Sequence, residues 1–211
     1  MAYGLVIFDF DGTLADSFAG FLAAIDAAAA THGFSPLDPQ RHDEYRAMPP
    51  RALMRELGLP LWKVPAVSAT MRQALSRDID RMQLFDGATG LLRALRRHGI
   101  RTAIVSSNSQ ANVERVLGHK YAAMIDHFGC GATIFGKRRL LRATLAAFDV
   151  APPQVLCVGD EIRDAQAAAS LGLDFGGVDW GFATPAALAP HCRRGPFNRF
   201  EQILEAVLAP G

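Results

Sequence analysis

The chain has 211 residues, half of them hydrophobic and a fifth charged. That composition suits a folded globular protein with its own core and excludes a disordered or fibrous chain. The 22 basic and 21 acidic residues leave a net charge of +1, so no global field draws the chain to nucleic acid or an anionic membrane. The three cysteines, Cys130, Cys157 and Cys192, are too few and odd in number for a disulfide framework, lack zinc-ligand spacing, and suit a reducing cytoplasm.

Met1 leads almost directly into the apolar run Leu5–Phe10. No basic segment or cleavage site precedes that run, so no signal peptide is expected, and no apolar run approaches the roughly 20 residues of a membrane helix. From 15 to 85 the chain shows no clear strand. It reads as helices at about 17–32, 40–47, 50–58 and 64–82, punctuated by Pro36, Pro39, Pro49, Pro50, Pro60 and Pro65. Beyond it, helix-like stretches at 88–98, 110–118, 138–148 and 161–171 alternate with the short apolar runs Thr102–Val105, Val155–Val158 and Leu173–Val178. Unbroken apolar runs of this length fit strands buried on both faces of a parallel sheet.

The predicted fold is therefore α/β: a Rossmann-like parallel sheet with helices on both faces, and a small all-helical cap inserted after the first strand. Residues 1–14 and 86–211 form the predicted core and 15–85 the cap, with Phe85-Asp86-Gly87 as a return hinge. Ligands bind at the carboxyl ends of strands in such sheets, so the insert is placed to be a lid. No internal repeat or low-complexity tract interrupts this plan.

Four elements carry chemistry. The first is Phe8-Asp9-Phe10-Asp11-Gly12-Thr13-Leu14, where a strand ends. Strand periodicity puts Asp9 and Asp11 on one side, and Gly12 permits a tight turn. Close carboxylates repel unless a cation joins them, and hard oxygen ligands of this kind suit Mg²⁺. The second is Ile104-Val105-Ser106-Ser107-Asn108, an apolar run opening into hydroxyls ahead of a helix; it is either an anion site or an ordinary N-cap. The third is Lys137, which opposes the dipole at the start of a helix unless an anion lies nearby. The fourth is Val158-Gly159-Asp160-Glu161-Ile162-Arg163-Asp164, which sets Asp160 and Asp164 one turn apart. Each has a plain structural reading alone. Together, at strand ends that converge, they point to one site.

With these elements the sequence resembles the haloacid dehalogenase-like hydrolase superfamily, in its phosphoglycolate phosphatase-like branch with a helical cap. The likeness spans nearly the whole chain. It implies that Asp9 attacks phosphorus, forms an aspartyl-phosphate and ligates Mg²⁺. It implies that Asp11 is general acid and then general base, its carbonyl also on the metal. Ser106, Ser107 and Lys137 would hold the phosphoryl group, and Asp160 would complete the metal's protein ligands. Asp164, Asn108 and Glu161 would support these groups from behind. Asp11 favours phosphate esters over haloacids and phosphonates, whose hydrolases lack it. The later Asp179-Trp180-Gly181-Phe182 also matches the branch.

Three features depart from it: Arg138 stands where many relatives carry proline, Gly129–Gly136 is short, and His191–Asn198 is too polar and basic for the small strand expected there. In the cap, Arg46, Arg51, Arg55 and Lys63 are candidates for a substrate anion, although solvated helix faces account for each. Phe18 and Phe21 read as cap core, Asp16 and Ser17 as hinge. No histidine has a role. The expected function is a Mg²⁺-dependent phosphatase acting on a small phosphorylated metabolite such as phosphoglycolate, as a monomer or homodimer. The alternatives are a phosphomutase of the β-phosphoglucomutase kind and a non-catalytic phospho-metabolite-binding protein.

Overall fold

In the computed structural model, residues 3–131 and 136–209 are described. The first strand, β1 (Leu5–Phe8), is buried throughout. Its side chains alternate between two apolar layers, Val6 and Phe8 in one and Leu5 and Ile7 in the other. The same alternation governs β4 (Arg101–Val105) and β6 (Val155–Gly159). The sheet therefore needs helices on both sides.

Six strands make one parallel sheet in the order β5-β4-β1-β6-β7-β8. β5 is His127–Gly129, β7 is Asp174–Val178 and β8 is Arg194–Phe197. The chain runs from β1 outward to β4 and β5, then returns to lay β6 against the other side of β1. That reversal makes β1 and β6 the switch point, and a crevice opens at their carboxyl ends. Helices α5 (Ala88–Arg97), α6 (Gln110–Ala122) and α10 (Phe200–Leu208) cover one face. Helices α7 (Lys137–Leu145), α8 (Ile162–Ala169) and α9 (Pro185–Leu188) cover the other.

Four helices lie between β1 and α5: α1 (Phe18–His32), α2 (His42–Arg46), α3 (Pro50–Glu56) and α4 (Val64–Arg77). They bury a separate apolar cluster that includes Ile25, Phe34, Leu53, Leu57 and Val67. The predicted third and fourth insert helices, 50–58 and 64–82, end sooner; Ile79–Arg81 is a separate 3-10 turn.

Four strands escape the sequence reading. Two lie inside the stretch expected to hold none: β2 (Ala15–Asp16) and β3 (Gln83–Leu84) pair antiparallel where the insert leaves and rejoins the core. The pairing continues with the Phe85 N–H donating to the Leu14 carbonyl at 2.9 Å. The joint is thus a two-stranded ribbon as well as the expected Phe85–Gly87 segment. Two residues per strand are too short for any period to register. β5 is short for the same reason. The C-terminal segment, read as too polar for a strand, forms β8. It is an edge strand, where a proline is tolerated, and its Arg194 is half-buried and donates to the Tyr3 hydroxyl at 3.4 Å. Among the described residues no helix is long and apolar enough to cross a membrane.

Candidate active site

The crevice at the switch point receives one acidic loop from each central strand. After β1 the chain turns at Gly12, whose φ is 76°. A Cβ there would collide with the Asp160 carboxylate, so glycine serves both the backbone and the close approach. The turn seats Thr13, whose hydroxyl donates to Asp160 Oδ1 at 3.0 Å. The Phe182 N–H donates to Asp160 Oδ2 at 2.7 Å. Both oxygens of the β6 carboxylate are thereby aimed.

Lys137, the first residue of α7, is buried with its ammonium between two carboxylates. Nζ lies 2.7 Å from Asp9 Oδ2 and 2.6 Å from Asp164 Oδ1. These two contacts resolve the dipole objection to a lysine at a helix start, since its charge is matched locally. The Phe10 N–H donates to Asp9 Oδ1 at 2.8 Å, and the Glu161 N–H donates to Asp164 Oδ2 at 3.2 Å. Asp164 is thus engaged at both oxygens.

Asp11 has different company. Asn108 Nδ2 reaches its carboxylate at 3.2 and 3.3 Å, and Ser106 Oγ donates to Oδ2 at 3.3 Å. Ser106 Oγ also accepts the Asn108 N–H at 2.9 Å. Asn108 thus braces the Asp11 side chain, in line with the supporting place expected for it. Ser107 and Glu161 face the crevice, where Glu161 pairs with Arg163 at 2.6 Å.

Burial drives the electrostatics. It lifts the Asp9 carboxyl; Lys137 pulls it down and Asp164 pushes it up, leaving it at about 7. Burial also raises Asp11, against hydrogen bonds from Asn108 and Ser106 that favour the anion. Asp160 is raised well above the carboxylate range by burial and by Glu161, Asp9 and Asp164. Burial works against the charged form of Lys137, but Asp164 and Asp9 outweigh it and hold the ammonium above its ordinary range.

A divalent cation fits this surplus of negative charge. Ligand oxygens of Asp9, Asp160 and Asp164 lie within 4.8 Å of one another, and all three residues are buried. The Asp11 side chain is turned from this cluster toward Ser106 and Asn108, which is compatible with its expected contribution through the carbonyl. Hard oxygen donors and glycine clearance at Gly12 and Gly181 suit a small hard ion.

The family model for haloacid dehalogenase-like hydrolases matches residues 6–178. The chain belongs to that family. It is 33% identical over 203 residues to a phosphoglycolate phosphatase of Synechococcus elongatus, covering 96% of each chain. It is 32% identical over 185 residues to the tyrosine-protein kinase PtkA of Mycobacterium tuberculosis, covering 84% of this chain and 62% of that one. Among solved structures, a Lactobacillus plantarum protein assigned as a phosphoglycolate phosphatase superposes with a TM-score of 0.81 at 26% identity, over 98% of this chain and 100% of that one. The haloacid dehalogenase-like chain is a phosphatase of the phosphoglycolate phosphatase-like branch, and its buried aspartate cluster could hold a metal.

The insert contributes differently from expectation. The Arg46 guanidinium donates to the carbonyls of Phe182 at 2.7 Å and Gly181 at 3.0 Å, tying the insert to the core. Lys63 donates to the His32 carbonyl at 2.8 Å. Phe18 and Phe21 pack against the core's Phe182, with ring centroids 6.1 and 5.2 Å apart. The basic residues that line the crevice among those described, Arg72 on α4 and Arg163 on α8, were not given a role from the sequence. Arg163 had a signal, since it sits inside the acidic motif. Arg72 had none, because its helix face is defined only by packing.

Proposed function

We propose that this phosphatase hydrolyses small phosphorylated metabolites, phosphoglycolate among them, through an aspartyl-phosphate on Asp9, with Mg²⁺ as its cofactor. The observation that carries the reading is the split environment of two carboxylates two residues apart. Asp9 is held by the Lys137 ammonium at 2.7 Å, while Asp11 is half-buried on neutral donors, and its pKa is raised. Lys137 draws the Asp9 carboxyl toward the anion against its burial, while Asp11 has no cation in contact and is the better placed to hold a proton.

An Asp9 carboxylate oxygen attacks phosphorus, and the bond to the ester oxygen breaks. Asp11 gives its proton to that oxygen, so the alcohol leaves neutral. The Asp11 carboxylate then takes a proton from water, whose oxygen attacks the acyl phosphate and releases phosphate and Asp9. The Lys137 ammonium pairs with two carboxylates and would also meet the transferring phosphoryl oxygens, with Ser106 and Ser107 alongside. Asp164 holds Lys137 in place. Asp9, Asp160 and the Asp11 carbonyl would hold Mg²⁺, which when bound would neutralise charge on the phosphoryl group.

Residues 15–85 would act as a cap that closes on the ribbon of β2 and β3. The Synechococcus relative supports phosphoglycolate as the first substrate to try. The sparse free cysteines suit the cytoplasm, and a monomer or homodimer is proposed there. The test is phosphate release with Mg²⁺ from phosphoglycolate and p-nitrophenyl phosphate, by the parent and by Asp9→Asn. The parent should turn over and form a hydroxylamine-sensitive phosphoenzyme; Asp9→Asn should do neither. Parental activity in Asp9→Asn would sink the mechanism.

A further inference from the structure

The crevice does not end at the carboxylates. It continues into the insert, and the crevice and its continuation together enclose about 220 Å³. Asp11, Ser107, Asp160 and Glu161 stand at the core end. Beyond them the wall comes from α1, α3 and α4, and it is made of side chains such as Phe21, Leu53, Met54, Val67, Met71 and Leu75. On α4 the wall residues recur at helical spacing (Val64, Val67, Met71, Leu75), so one whole face of that helix is turned to the void. Arg72, itself exposed, is the one charged residue the insert gives to this wall among the described residues.

Leu53, Met54 and Val67 also belong to the insert's apolar core. The cavity is therefore a gap in that core, open toward the reacting end. Apolar side chains around an empty space forgo their contacts, and an apolar group entering it would restore them. An apolar cavity of about 150 Å³ holds benzene. A space of about 220 Å³ that takes in the phosphoryl site as well has room for a chain of about six carbons. A free carboxylate placed against leucine, methionine and phenylalanine would be desolvated with little return.

We infer that the cavity is a leaving-group subsite, and that the preferred substrates are phosphate monoesters whose alcohol carries an apolar chain or ring of about six carbons. This rests on the phosphatase reading above and deepens it: phosphoglycolate, with its second anion, is the poorer fit. The phosphoryl group sits at the carboxylates, and the apolar arm runs between α1, α3 and α4.

The test is a series of straight-chain esters: methyl, butyl and hexyl phosphate, with phosphoglycolate beside them. The leaving alcohols of the straight chains are nearly equal in acidity, so apolar area is what varies. Each methylene entering the cavity should raise kcat/KM about fourfold. Hexyl phosphate should exceed methyl phosphate by about a thousandfold if all five added methylenes enter, by the same reckoning, and should exceed phosphoglycolate. Ser68→Phe, which adds bulk from α4 into the cavity, should collapse the hexyl-to-methyl ratio. Dissociation constants for methyl- and hexylphosphonate, measured by calorimetry, should follow the same order without turnover. A flat or falling alkyl series, with phosphate still released, overturns the inference. So does phosphoglycolate outpacing hexyl phosphate, which would place its carboxylate on Arg72 instead. No release from any ester, p-nitrophenyl phosphate included, would overturn the phosphatase reading along with it.

Discussion

Replacing Lys137 by methionine isolates the charge logic of the site. The ammonium is within 2.7 Å of Asp9 and 2.6 Å of Asp164, and the side chains of all three are at most 9% exposed. Methionine keeps the apolar stem and removes the charge, leaving two buried carboxylates without their cation. Breaking a buried pair in this way costs about 3–5 kcal/mol. In a chain of this size that corresponds to about 6–20 °C in Tm. The loss should depend on pH. Asp9 already has a folded pKa raised from 3.8 to about 7. The native state therefore holds a proton that the unfolded state releases, and its stability falls as pH rises between those values. Without Lys137 the upper end of that window moves higher. Metal-free Lys137→Met should thus be more destabilised against the parent at pH 8 than at pH 5.5, where Asp9 is neutral and only the pairing with Asp164 is lost. Chemical unfolding of both proteins at the two pH values measures this. A deficit below about 1 kcal/mol at pH 8, far under the range for a broken buried pair, would refute the reasoning. An equal deficit at both pH values would also refute it.

Asp11→Asn should lower kcat by about 10²–10⁴ for alkyl phosphates. For p-nitrophenyl phosphate, whose leaving group departs without a proton, kcat/KM should fall much less than for alkyl phosphates, while kcat falls for both because Asp11 also activates the water of the shared second step; the ratio of the two kcat/KM values reads the acid role. Asp9 and Asp160 both have raised pKa values, so metal binding must expel a proton. Mg²⁺ affinity, followed by calorimetry, should tighten with pH by about tenfold per unit for each proton displaced, up to about pH 7. Gly12→Ala should abolish Mg²⁺ binding and turnover, because its Cβ would meet the Asp160 carboxylate at a φ of 76°. Gly33→Ala shares a φ of 68° but meets no neighbour within 4 Å, so it should cost only about 1–2 kcal/mol in unfolding experiments and leave turnover alone.

The sequence by itself determined the sheet's central strands, the helical insert and the chemical groups of the site. The reason is local: Leu5–Phe8, Arg101–Val105 and Val155–Gly159 are buried on both faces, so their apolar character is unbroken and each ends visibly where polar residues begin. Asp9, Asp11, Ser106 and Asp160 were legible because they sit at those ends. Only the tertiary structure decided the rest. The ribbon of β2 and β3 and the edge strand β8 are made by partners distant in sequence, and no short-range pattern encodes them. The same holds for Lys137 between Asp9 and Asp164, and for Asn108 on Asp11. Arg46, read as a solvated helix residue or one of four candidates for a substrate anion, ties the insert to Gly181 and Phe182. The apolar cavity above the carboxylates arises where α1, α3 and α4 fail to fill the space between them, and a volume left unfilled is a property of packing that no residue carries alone.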